Sequence, residues 1–435
     1  MRIKGMAMTT ALRVALAGLG TVGGGVIRLL EANRDLISRR AGRPIEIVAV
    51  SARDRTKDRG VDISSLQWVD DTTALARCDA DVVVELVGGA DGPALALARA
   101  TLAAGKGFVT ANKAMLAYHG LELAEAAEAA RVPLKFEAAV AGGIPVIKGL
   151  REGAAANAIG RVYGILNGTC NFILSKMEAE GRDFADVLAE AQALGYAEAD
   201  PSFDIDGVDA AHKLSILSSI AFGTRPAFGD VSVSGIRHVI AADIAEAAAL
   251  GYRVRLVGMA EADGNGLFQR VHAHLVSKDH PLAHVTGSTN AVVAEGNFVG
   301  RLLFQGAGAG DGPTSSAVVA DLIDIARGEY GPPYAMPAAS LAAVSVASRS
   351  ERRGRAYLRF TVADRVGVLA EIAAAMRDAG VSIESLIQRA TPTEGTALLA
   401  IVTHEAPESN VHAALERLRG SQSLAGEPLW MHILD

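Results

Sequence analysis

Residues Leu12–Gly23, LRVALAGLGTVG, decide the fold. The first half is apolar except for Arg13, as expected of a buried parallel strand. Glycines then fall at positions 18, 20 and 23, and helical spacing follows through about residue 36. Strand, tight turn and helix in that order give G-x-G-x-x-G its meaning. The first glycines allow the turn and bring backbone close to a pyrophosphate, and the helix N-terminus faces the anion. A glycine-rich turn elsewhere would say little. Here it predicts a Rossmann-type dinucleotide-binding domain, with Gly18, Leu19, Gly20, Thr21 and Val22 against the cofactor.

Outward from that turn the pattern alternates between strands and helices. Ile45–Val50, Asp81–Val87 (DVVVELV) and Phe108–Thr110 read as strands. Helices are expected over Pro93–Ala104 and Leu121–Ala130, and a further strand over Leu134–Ala139. An NAD-selective site usually carries an acid at the end of the second strand, to hold the ribose 2′-hydroxyl. This chain runs instead into Ser51-Ala52-Arg53-Asp54-Arg55. A guanidinium at Arg53 suits a 2′-phosphate, so NADP is expected, with NAD the alternative that Asp54 leaves open. Gly88, after DVVVELV, lets backbone approach a flat nicotinamide ring. Lys113 follows a strand's carboxyl end, where open α/β sheets bind ligands.

A second organising stretch is Gly195–Lys213, GYAEADPSFDIDGVDAAHK. Five acids, Glu198, Asp200, Asp204, Asp206 and Asp209, fall within twelve residues. Pro201 and Gly207 predict a loop, and a helix from near Asp206 to about Ala221 would align Asp206, Asp209 and Lys213. That face continues as Ile216, Leu217 and Ile220. Charge at one end of an apolar stripe is costly unless it is paired or used. The plain alternative is an acid-rich first turn with a surface Asp209–Lys213 pair.

Composition narrows the function class. A chain of 435 residues suggests about three domains. A balance of 42 basic to 49 acidic residues, net −7, argues against a nucleic-acid partner. Two cysteines, Cys78 and Cys170, cannot build a disulfide framework and suit a reducing compartment. The opening MRIKGMAMTT lacks the apolar core of a signal peptide, and no stretch approaches the roughly 18 apolar residues of a membrane span. A soluble cytoplasmic protein without a membrane partner is expected.

Residues 231–304 are strand-rich (LVGMAEA, LFQRVHAHLV, NAVVAEGNF, RLLFQG), and their sheet is a candidate for pairing across a dimer. His272 and His274 alternate there without an acid or cysteine at ligand spacing, so they read as sheet residues rather than a metal pair. Ala347–Ala356 (ASRSERRGRA) is a charged linker, and a βαββαβ order follows it.

Four blocks resemble the signatures of homoserine dehydrogenases, in that family's order. They are VTANKAML (Val109–Leu116), EAAVAGGIPVI (Glu137–Ile147), GILNGTCNFIL (Gly164–Leu174) and the acidic run. GAGDGPT at Gly308–Thr314 is similar to that family's GAG-x-x-P-T block, which returns to the nucleotide lobe. The last segment, with Asp364–Leu369 (DRVGVL), resembles ACT regulatory domains, although Val366 stands where those usually carry proline.

The resemblance implies an α/β protein in three parts. A Rossmann domain would span residues 10–136 plus 305–346, an α+β catalytic and dimerisation domain 137–304, a linker 347–356, and an ACT domain 357–435. It implies reversible NAD(P)-dependent hydride transfer between L-aspartate 4-semialdehyde and L-homoserine, in threonine, methionine and isoleucine biosynthesis. Lys213 would donate the proton, oriented by Asp209, while Lys113 supports carbonyl and cofactor. Glu198 and Asp204 would grip the substrate ammonium, with Thr169 and Tyr196 beside them, and Gly195 and Gly308 would touch the cofactor. Glu137, Val140, Gly142 and Ile144 would hold a monovalent cation such as sodium. Threonine would be the effector, and the assembly a homodimer or homotetramer. Two rivals stay open: an aspartate-semialdehyde dehydrogenase using Cys170 as nucleophile, and a non-catalytic amino-acid sensor.

Overall fold

The apolar run at Leu12–Ala17 becomes the central strand of a parallel sheet, with Val14, Ala15, Leu16 and Ala17 wholly buried. The computed structural model describes residues 10–263, 266–348, 350–391 and 393–435. Most of the MRIKGMAMTT opening and Arg349 of the linker lie outside the described residues. Two compact units emerge. The first holds the described residues up to Leu166, with Ala211–Asp230 and Asn290–Val344; the second holds Asn167–Ala210, Val231–Thr289 and Ser345–Asp435.

In the first unit, strands β1 (Leu12–Ala17), β2 (Ile45–Ser51), β3 (Gln67–Trp68), β4 (Val82–Glu85), β5 (Gly107–Thr110) and β6 (Leu134–Lys135) form one sheet. Its order is β3-β2-β1-β4-β5-β6, all parallel, which is the Rossmann order with its reversal between β1 and β4. Helices cover the sheet because apolar side chains on both of its faces must leave water. One of them, Asp311–Arg327, comes from far along the chain. Its Val318, Val319, Leu322 and Ile325 enter the same core as Leu16, Val26 and Leu30.

Downstream strands are β7 (Ile159–Ile165), β8 (Ser232–Val233), β9 (Tyr252–Asp263), β10 (Gly266–Ser277), β11 (Thr289–Gly296) and β12 (Gly300–Ala307). They are followed by β13 (Arg353–Gly354), β14 (Ala356–Ala363), β15 (Ile383–Ala390), β16 (Thr396–Thr403), β17 (Ala406–Pro407) and β18 (Leu429–Leu434). In the first unit β12, β11 and β7 lie side by side. In the second the order is β9-β10-β18-β14-β16-β15, with β8 beside β10 and a small β13-β17 ladder. Helices Val368–Asp378 and Glu408–Leu418 pack on β14, β16 and β18 around Phe360, Ile372, Met376, Ile401 and Val411, which completes the expected βαββαβ domain. Strand β18 has two partners, β14 antiparallel and β10 parallel.

Several local expectations change. The helix expected from Asp206 begins at Val208, after a short helix at Ser202–Ile205, because Gly207 takes φ +89° and breaks the turn between them. Asp206 therefore leaves the Asp209–Lys213 face and pairs with Arg237. The strand expected over Leu134–Ala139 stops at Lys135, and Glu137–Ala139 form a 3₁₀ turn. There the Glu137 N–H donates to Asp321 Oδ2 (2.9 Å) instead of to a ladder. The helix expected from Leu121 starts at Lys113, because the Asn112 side chain caps it by accepting from Met115 N–H.

The β10–β18 seam buries imidazoles. Burial holds His274 down to about 4 and His432 well below its ordinary value. Both are neutral in the folded chain, whereas unfolded imidazoles titrate near ~6.5. A depressed folded value means their contribution is whole above ~6.5 and is lost as pH falls toward 4. His274→Gln is expected to flatten the acid-side fall of Tm between about pH 6.5 and 4, read by calorimetry. An unaltered slope would remove His274 as a cause.

Candidate active site

The glycine turn after β1 is shaped by backbone rather than by side chains. Gly18 has φ +98°, and a Cβ there would lie 2.6 Å from Leu86 O. A Cβ on Gly23 would sit 2.0 Å from Gly18 O, so helix and turn touch only because both are glycine. A Cβ on Gly20 would meet nothing within 4 Å among the described residues, and Gly20 caps helix Thr21–Ala32 with no side-chain bond among them. Open space in front of uncapped N–H groups fits the pyrophosphate of a dinucleotide. Leu19 is buried while Thr21 faces out, and Val22 O accepts from Ser315 Oγ at 3.0 Å. Arg53 is exposed. Arg59, which sequence reasoning missed, ties the loop after β2 to the turn by donating to Leu19 O at 3.0 Å. Its spacing from the glycines carries no motif.

At the rim of β4 and β5 a buried carboxylate sets the backbone. Glu85 accepts from Val87 N–H (2.7 Å) and Gly88 N–H (2.9 Å) through one oxygen and from Thr110 Oγ1 (2.6 Å) through the other. Thr110 Oγ1 accepts from Asn112 N–H at 2.9 Å, and Asn112 Nδ2 donates to Gly89 O at 2.7 Å. Gly88 and Gly89 consequently hold φ +85° and +89°. Lys113 is half-buried as the first residue of its helix. A cation disfavours a helix N-terminus, so this placement does not serve helix stability. The sequence singled out Lys113 but not Glu85, Thr110 or Asn112; an acid ending the run VVVE was the available signal.

Lys213 is nine-tenths buried on helix Val208–Phe222 and donates from Nζ to Leu166 O at 2.8 Å, just past the end of β7. Its neighbour His212 packs against Tyr118 and Phe228, with ring centroids 5.5 and 4.2 Å away. Tyr118 belongs to the helix that Lys113 begins, so these rings fasten the two lysine-bearing helices together.

In the second unit Asn167 gathers the acids. Its Nδ2 donates to Asp204 Oδ1 and to Asp209 Oδ2, both at 2.8 Å, while its Oδ1 accepts from Cys170 N–H and caps helix Gly168–Glu180. Thr169 Oγ1 donates to Tyr196 O (2.9 Å) and lies 3.2 Å from Asp204 Oδ2. Asp204, Asp209 and Thr169 are thus brought together, and two carboxylates on one amide form an acceptor cluster suited to an ammonium. Tyr196 adds its carbonyl, and its ring stacks on Phe172 at 4.5 Å. Glu198 is exposed, outside this network, and Gly195 turns the chain with φ +77°. Asn167 was not among the expected residues, although an asparagine between strand and helix is a cap signal. Cys170 is wholly buried, and its Sγ donates to Asp204 O at 3.2 Å, the contact of an inert wall thiol.

The Glu137–Ile144 turn is tightly packed. Glu137 accepts backbone N–H groups from Ile147 and Lys148, each at 2.9 Å. Burial, and then the charge of Asp321, push its carboxyl up to about 7. Val140 and Ile144 are buried, and Gly142, at φ +53°, would place a Cβ 2.5 Å from Gly308 O. Among the described residues no three His, Cys, Asp or Glu side chains group as metal ligands.

Family models match three segments: "Homoserine dehydrogenase, NAD binding domain" at residues 18–137, "Homoserine dehydrogenase" at 145–323, and "ACT domain" at 356–420. The chain is 46% identical to a homoserine dehydrogenase of Neisseria gonorrhoeae, over 92% of this chain and 94% of that one. The chain belongs to the homoserine dehydrogenase family. A solved homoserine dehydrogenase from Thiobacillus denitrificans superposes with TM-score 0.92 at 42% identity, covering 98% of this chain and 99% of that one. A hyperthermophilic archaeal homoserine dehydrogenase in complex with NADPH gives TM-score 0.64 at 27% identity, over 74% of this chain and 100% of that one. Homoserine dehydrogenases are oxidoreductases of the CH–OH group, and this chain interconverts L-aspartate 4-semialdehyde and L-homoserine with a nicotinamide cofactor. Neither the Cys170-nucleophile reading nor the non-catalytic sensor is supported.

Gly18→Val would drive a side chain into Leu86 O at a positive φ. It is expected to raise the Kd for the dinucleotide by about tenfold or more in a nicotinamide-fluorescence titration.

Proposed function

We propose that this homoserine dehydrogenase works mainly as a reductase of L-aspartate 4-semialdehyde, with NADPH as donor and Lys213 as the proton source. What supports the Lys213 assignment is its anchored, nearly buried ammonium on Leu166 O, one helical turn from Asp209. The dinucleotide supplies the hydride when bound. The alkoxide formed on the substrate needs a proton and a positive field, and Lys213 gives the first while Lys113 adds to the second. Asp204 and Asp209, spaced by Asn167, take the substrate ammonium, with Thr169, Tyr196 and Glu198 as further substrate contacts. Gly88, Gly195 and Gly308 are assigned to the cofactor's surroundings.

NADPH is favoured over NADH by Arg53, which follows β2 in place of the usual acid. A monovalent cation such as sodium would take carbonyl oxygens of the Val140, Gly142 and Ile144 turn, since the Glu137 carboxylate already receives two amides. Threonine is proposed as effector through the ACT domain, a homodimer or homotetramer as the assembly, and the cytoplasm as the compartment. A chain with only two cysteines, too few for a disulfide framework, suits the last of these. The functional segments keep the sequence boundaries: 10–136 with 305–346, 137–304, and 357–435.

Lys213→Ala is expected to lose most of kcat with a smaller change in KM when NADPH oxidation is followed with the semialdehyde. Unchanged kcat would take Lys213 out of the chemistry. Arg53→Ala is expected to raise KM for NADPH about tenfold and leave KM for NADH in place. Equal effects on both cofactors would dismiss the 2′-phosphate contact.

A further inference from the structure

The rim beyond β4 fills an anion hole with its own side chain. Consecutive N–H groups of Val87 and Gly88 converge on one oxygen of Glu85, at 2.7 and 2.9 Å. Converging amides of this kind form a concave nest, a common seat for a phosphate or a carboxylate. Glu85 is wholly buried in that seat, and Thr110 Oγ1 donates to its second oxygen. An outside anion has no access to those two amides.

The opposite side of the same peptides follows from planarity. A trans peptide directs its C=O opposite to its N–H. The peptides that aim the Val87 and Gly88 N–H groups at Glu85 therefore aim Leu86 O and Val87 O away from it. Leu86 O lies as this requires, against the glycine turn, 2.6 Å from where a Gly18 Cβ would stand. Val87 O is one peptide further out, on a residue 38% exposed, and Gly88 and Gly89 beside it are exposed too. Among the described residues no backbone N–H donates to either carbonyl. Gly89 O, by contrast, already has a donor in Asn112 Nδ2 at 2.7 Å. The open part of the rim thus presents an acceptor, while its amides are engaged.

This rim stands where the strand order reverses between β1 and β4, the place where open α/β sheets bind ligands. With the pyrophosphate on the β1 turn and the adenosine towards β2, the nicotinamide half falls on the β4 side. Its carboxamide carries an acceptor oxygen and a donor NH2. An acceptor on the rim matches only the second.

We infer that Glu85 is a positioning residue for the nicotinamide: it turns the Leu86–Gly88 peptides so that Val87 O receives the carboxamide NH2. The side chain of Glu85 itself touches neither cofactor nor substrate. The inference rests on the assignment of Gly88 to the cofactor's surroundings, and it adds the polarity of that contact. A tether through the NH2 fixes which face of the ring meets the substrate.

Calorimetric binding to the full-length enzyme tests this with its preferred oxidised dinucleotide and two analogues. The thionicotinamide analogue keeps the NH2 and exchanges oxygen for sulfur; the acetylpyridine analogue keeps the oxygen and carries methyl in place of NH2. The first is expected to bind within about threefold of the parent, and the second about tenfold more weakly. Glu85→Leu is expected to bring that tenfold ratio close to one. Glu85→Gln is expected to restore it, because an amide oxygen still accepts both N–H groups. A general loss of stability would weaken all three ligands together and leave the ratio in place. Should Glu85→Leu fail to fold, Thr110→Val decides, since it frees one Glu85 oxygen and is expected to lower the ratio. Equal binding of the parent and the acetylpyridine form by the unmodified enzyme would overturn the inference, as would a ratio unmoved by the deciding variant. Gly88→Val separates this failure from that of the underlying assignment: its side chain would enter open space at φ +85° and is expected to weaken all three dinucleotides. No effect on any of them would overturn the Gly88 assignment as well.

Discussion

Two carboxylates held close together need donors or charge between them, and Asn167 supplies donors to both. One amide nitrogen donates to Asp204 and Asp209 together, while the amide oxygen caps the next helix. The residue just before it, Leu166, offers its carbonyl to the Lys213 ammonium. Leu166 and Asn167 are consecutive in sequence, and each serves its own unit.

The same economy governs the nucleotide end. Glu85 is a wholly buried acidic side chain at the end of β4, and its oxygens accept from two backbone amides and a threonine hydroxyl. A hydrogen-bonded carboxylate of this kind is a rigid fixture. It holds Gly88 and Gly89 at positive φ and, through Thr110 and Asn112, sets where the Lys113 helix begins.

Much of this was legible in the chain before any coordinates. Periodicity and glycine spacing carry the parallel sheet and its turn, because burial on both faces and close backbone approach leave compositional marks at Leu12–Gly23. The βαββαβ segment was legible for similar reasons. Break points were harder. Gly207 ends one short helix and starts another through a single dihedral angle, and Asp206 changes partner as a result. Asn167, Glu85 and Arg59 were missed because each, beside any local bonds, holds a partner remote in sequence, Thr110 in the case of Glu85. Asn167 meets acids near residues 204 and 209, and Arg59 reaches back to Leu19. No local pattern records such a contact.

Strand β18 has a consequence for how the protein is made. It fills the place between β10 and β14, pairing His274 with His432 and Tyr357 with Met431. A ribosome finishes β10 long before it reaches Leu429, so the β10 edge, and later the β14 edge, wait for β18 until the end of synthesis. Translation stalls or premature termination in that interval leave those edges available to other chains. The sheet of the second unit is therefore completed only by the last strand of the chain to be made.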